Sequence, residues 1–283
     1  MHKICFAGLS LVWLCGFGGS PALPFEASSP SASSTGDIKL SADWAEHVTI
    51  DDLTVELSEC STRISQNLKK PGDFDKFIKS INSEGHLMAV VATLVTVHPD
   101  AGGWKEIASD IQAQGLAIAQ AAEAKGAKNY RSAQEAHKKI GELIKKGEKA
   151  EKGTKASSSN DDTAAPDWAA LGELSHVMKR VDPAYKYIRG KMSNAPSFKT
   201  YSEQVRHNAA ILAVLAEISP AYRTEKEFAK FSAAMSAAAK ETASAAKSGD
   251  FDKAKDANTA INQSCNDCHK AYRLDQGKSG FGF

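Results

Sequence analysis

Apolar positions near the C-terminus recur at helical spacing. Ala254, Ala257, Ile261, Cys265, Cys268 and Tyr272 follow one another at alternating three- and four-residue steps, which lines one face of an amphipathic helix. Gly249 is a C-terminal stop for the helix before it, and Asp250 is an N-cap for this one. Three further helices precede it. The first is expected over 170–191, with Pro183 kinking or restarting it, and the second over 199–218, stopping at Ser219-Pro220. The third opens on Thr224-x-x-Glu227, a capping-box pattern, and runs to about 247. Four helices of this length with short connections predict an antiparallel bundle.

The pattern occurs twice. A shift of 121 residues aligns 86–150 with 207–271 without a gap, matching His86 to His207, Leu94 to Leu215, Pro99 to Pro220 and Ile140 to Ile261. Upstream the register changes: Glu56-Leu57-Ser58 echoes Glu173-Leu174-Ser175, and Asp43-Trp44-Ala45 echoes Asp167-Trp168-Ala169. The expected fold is therefore all-α, with two tandem antiparallel four-helix bundles over 43–150 and 167–274. A polar linker over 151–166 joins them, and 275–283 is a tail.

The N-terminus departs from this periodicity. His2 and Lys3 precede an apolar stretch from Ile4 to Phe17, followed by small residues through Ala22. Residues 1–22 read as a cleaved export signal, because the apolar run is shorter than the ~20 residues of a membrane span. An uncleaved anchor is the competing reading. Leu14 argues against lipidation at Cys15, where a small residue is normal. Residues 23–42 are Ser/Pro/Ala-rich and read as a flexible linker. The expected location is a bacterial periplasm or a comparable exported space, with no membrane span in the mature protein.

Composition adds limits. The chain has 283 residues, 35 Lys+Arg against 34 Asp+Glu, and 42% hydrophobic residues. That is enough for a packed core, and the charge balance gives no reason to expect a nucleic-acid partner. Of five cysteines, Cys5 and Cys15 leave with the signal. Cys60 is left as a lone thiol, expected to act as a small buried hydrophobe.

The chemistry sits at Cys265-Asn266-Asp267-Cys268-His269. On a helix, i, i+3 and i+4 project to one side. CxxCH in this arrangement suits covalent c-type haem: two thiols add to the vinyl groups and the imidazole becomes an axial iron ligand. A structural zinc site needs about four ligands, and no second CxxC exists. A thioredoxin-like site belongs near a βαβ pattern.

The run Cys265 to Arg273, at the end of the last helix of a four-helix bundle, resembles the cytochrome c′ family. The resemblance implies thioethers at Cys265 and Cys268, His269 as proximal ligand, and Arg273 near the haem edge or propionates. It also implies that a Met on the first helix is the sixth ligand in low-spin, electron-transferring members. Val177-Met178-Lys179 resembles that stretch, which makes Met178 the expected sixth ligand. His176 and His207 are weaker candidates. High-spin members leave the sixth place open and bind NO or CO. Members also dimerise through their first two helices, so a dimer or an internal pseudo-dimer is expected.

In the first copy, Ile144, Gly147 and Glu148 stand where Cys265, Cys268 and His269 stand in the second, and Ser61 stands for Met178. One haem c per chain is expected. The leading expectation is a non-enzymatic electron carrier serving a periplasmic redox partner. The alternative is an NO- or CO-binding haem protein, and a redox enzyme component ranks last.

Overall fold

A computed structural model describes residues 38–149 and 165–272. Export-signal residues 1–22, most of both linkers, Arg273 and the tail lie outside the described residues. The described residues are helical apart from turns and short connections, with no strand among them. No described helix is long and apolar enough to cross a membrane.

A short helix α1 (Trp44–His47) leads into α2 (Ile50–Asn67), α3 (Pro71–Val97), α4 (Trp104–Ala121) and α5 (Ala127–Lys149). In this first half α2 packs on α3, α3 on α4, α4 on α5, and α5 returns to α2. The second half contains α6 (Leu174–Lys191), α7 (Ala195–Thr200), α8 (Ser202–Ile218), α9 (Lys226–Ser248) and α10 (Phe251–Tyr272). Here α6 packs on α8, α8 on α9, α9 on α10, and α10 returns to α6.

Local chemistry explains most boundaries. Gly249 adopts φ +74°, and the N–H groups of Gly249 and Asp250 bond back to Ala246 and Ala245, ending α9. The Asp250 carboxylate accepts from the Lys253 N–H, as an N-cap does. Three expectations change. The capping box at Thr224 does not form: Arg223 and Glu225 are extended, so Glu225 rather than Thr224 occupies the cap position of α9. The helix expected over 170–191 begins at Leu174, after a 3₁₀ turn at Ala169–Leu171, and runs through Pro183 unbroken. The helix expected over 199–218 is split at Tyr201, whose φ/ψ of −113°/17° nearly repeats those of Phe77 inside α3. Both aromatics are exposed at these breaks.

The first two long helices of each half meet across the molecule, α2 against α8 and α3 against α6. The chain entering the first half also crosses to the second. The Ser41 hydroxyl bonds Glu217, Lys240 pairs with Asp43 at 2.8 Å, and the Trp168 indole N–H donates to the Ile38 carbonyl. The end of the segment read as a flexible linker is therefore docked, because its polar groups find partners on α8 and α9.

Charge is concentrated where the halves meet. Glu56 is wholly buried and accepts from Arg180 through both oxygens, at 2.8 Å and 2.6 Å. Arg63 adds a bond to Glu56 at 2.9 Å. Asp52 accepts from Arg206 at 2.7 Å and 2.9 Å, and pairs with His207 Nδ1 at 3.0 Å. Burial alone would push His207 down, but Asp52 and Glu56 outweigh it and raise it to about 9. His207 is thus a structural cation. Its match in the repeat, His86, stacks on His176 with ring centroids 4.3 Å apart. Glu56, Glu59 and His207 lie close enough to share an ion. The Arg180 guanidinium already sits on Glu56 and 3.9 Å from Glu59, so the cation position is taken.

Candidate haem-attachment site

The site is built on α10. Ala254, Ala257 and Ile261 are buried against the second half's core, and the same face continues into half-buried Cys265 and Cys268. Neither thiol is in a disulfide. Cys265 Sγ lies 3.8 Å from Met235 Sδ on α9. Burial, then the neighbouring Cys268 and Asp182, push the Cys265 thiol up to about 11, and burial raises Cys268 as well. Both are therefore thiols rather than thiolates at neutral pH. His269, one residue on, is exposed.

Aromatic and basic groups close the end of the site. Tyr272 packs edge-on against Phe228, ring centroids 5.7 Å apart, and Arg223 lies 5.1 Å from the Tyr272 ring centroid. Sequence reasoning missed Arg223, Phe228 and Met235. They come from α9 and the turn before it, and nothing in their local pattern marks them.

Met178 is reached through α6. The Tyr185 hydroxyl bonds Asn262 Oδ1 at 2.9 Å, and three residues along, in opposite directions, Asp182 acts electrostatically on Cys265. Met178, Asp182 and Tyr185 are spaced i, i+4, i+7, so one stripe of α6 turns toward α10. His176 is on a different stripe, against His86. His207 is held in the ion cluster. The structure thus sets Cys265, Cys268 and His269 together at the end of α10, and holds His176 against His86 and His207 in the ion cluster.

The first half lacks this arrangement for a steric reason as well as a chemical one. The Trp104 indole lies directly on Gly147, and a Cβ at that position would clash with its six-membered ring. Gly147 is the position that aligns with Cys268. Cys60 is buried, its thiol raised well above its ordinary value by burial and by Glu56, so the expected role as a small core residue fits its setting.

Two thiols and the adjacent imidazole at the end of the last described helix are the donors that a c-type haem protein uses for attachment and one iron ligand. Residues 219–273, spanning α9 and α10, match the family model described as Cytochrome C′. The C-terminal segment that carries CxxCH is therefore similar to the cytochrome c′ family, and the match supports a haem-binding c-type cytochrome. The matched segment does not reach Met178. No curated protein and no solved structure matches the chain.

Proposed function

We propose that the protein is an exported c-type cytochrome that transfers electrons through one covalently bound haem. On this reading the chain is two tandem four-helix bundles paired through their first two helices, an internal pseudo-dimer, and only the second carries haem. Bound haem supplies one-electron Fe(II)/Fe(III) chemistry. Cys265 and Cys268 would anchor it by thioethers, and His269 would supply a nitrogen ligand to the iron. Met178 would supply a thioether sulfur, a soft ligand that raises the iron potential. The half-buried thiols and the packed Phe228–Tyr272 wall limit water access to that end. Export through residues 1–22 would deliver the protein to an oxidising space, with a periplasmic protein as redox partner.

The observation that carries this reading is the α6–α10 register, in which Tyr185 bonds Asn262 and Asp182 acts on Cys265; continued by one antiparallel step, it sets Met178 opposite His269. Absorption and EPR spectra of the purified ferric and ferrous protein, with and without CO, test it. A low-spin spectrum indifferent to CO, turned high-spin by Met178→Ala, is expected. A high-spin ferrous form that takes up CO readily would instead make the protein a gas-binding one.

A further inference from the structure

The two sides of α6 face different halves of the molecule. His176, Arg180, Pro183 and Tyr187 follow at i, i+4, i+7 and i+11, on the stripe roughly opposite Met178. This second stripe is gripped by the first half. The His176 ring stacks on His86 at 4.3 Å, and Arg180 is bidentate to Glu56. Lys179, at the edge of the stripe, donates to the Ser83 hydroxyl at 2.6 Å. The lead-in to α6 is held by the same histidine, since His86 Nδ1 lies 2.7 Å from the Leu171 carbonyl. Gly172 follows at φ +143°, and a Cβ there would meet both imidazoles. The close approach of the halves depends on that glycine.

These contacts fall on residues 171, 176, 179 and 180, immediately before and after Met178. They restrain α6 against both rotation about its axis and sliding along it. We infer that the haem-less half is a splint for the sixth ligand: His86, Ser83 and Glu56 are positioning residues that set where Met178 sits relative to the iron. This rests on the haem and Met178 assignments proposed above. It gives the haem-less copy a function that its lost cysteines do not, because restraining α6 needs only its outer surface.

The holoprotein carrying Ser83→Ala and His86→Ala together tests the inference. Both side chains lie outside the Glu56 ion cluster, so the fold should survive, which thermal melting verifies. Losing a hydrogen bond and a ring stack from one of two arrangements shifts their ratio about tenfold. The ratio of high-spin to low-spin ferric protein should rise by about that factor, and CO should bind the ferrous form faster. Arg206→Gln, which weakens the same interface through α8, should lower thermal stability and leave the spin state unchanged. Unchanged spectra in the double variant, or an equal spectral change in Arg206→Gln, would overturn the splint. The parent protein separates this from the underlying reading: if Met178→Ala leaves its spectrum unaltered, the ligand assignment itself fails.

Discussion

Arg180 and Glu56, 124 residues apart in sequence, form a bidentate pair in which both side chains are buried. Breaking such a pair from one side leaves a buried charge without its partner. Arg180→Ala should cost about 3–5 kcal/mol, while replacing both residues with apolar ones of similar volume should cost much less. Denaturant unfolding of the single and double variants measures the difference.

The same cluster predicts a pH profile. His207 is raised to about 9 in the folded protein, above its ordinary 6.5. Its contribution to stability is full below about 6.5 and is lost as pH rises through about 9, on the order of 3 kcal/mol in all. Burial acts to raise Asp52 and Glu56, but His207 with Arg206 or Arg180 holds both well below the ordinary carboxylate range. Their contribution is present above that range and is lost only in strong acid. Thermal melts from pH 6 to 10 should show the alkaline loss in the parent protein, and His207→Gln should flatten it.

In the first half Trp104 covers Gly147, the position that aligns with Cys268. Trp104→Ala should destabilise the protein by about 3–5 kcal/mol through the cavity it leaves. Gly147→Cys should destabilise as well, because its Cβ would clash with the indole ring. Calorimetry of both variants checks this, and neither should change the haem content of the holoprotein.

Gly249 closes α9 in the left-handed region, at φ +74° with open space around it. Gly249→Ala therefore reports backbone conformation without a clash, and should cost about 1 kcal/mol. A small drop in melting temperature with an unchanged absorption spectrum is the expected result.

Much of the molecule is legible one helix at a time. The face Ala254 to Tyr272, the stop at Gly249 and the cap at Asp250 depend on residues within a turn or two of each other, so periodicity and capping chemistry suffice. The Thr224 box shows where local pattern misleads. The turn before α9 delivers the chain extended through Glu225, and the helix starts one residue later than the pattern implies. A capping box does form at Thr49, with Asp52 in place of the usual Glu or Gln.

The sequence by itself determined that the chain is helical, and that one CxxCH lies on the face of the last described helix. These follow from spacing along a single strand of residues. Only the tertiary structure decided that Arg180 meets Glu56, that Trp104 covers Gly147, and that Tyr185 meets Asn262 on α10 while His176 turns toward His86. Each is a contact between helices far apart in sequence, and side-chain identity does not state which of several charged or aromatic partners a helix will be packed against.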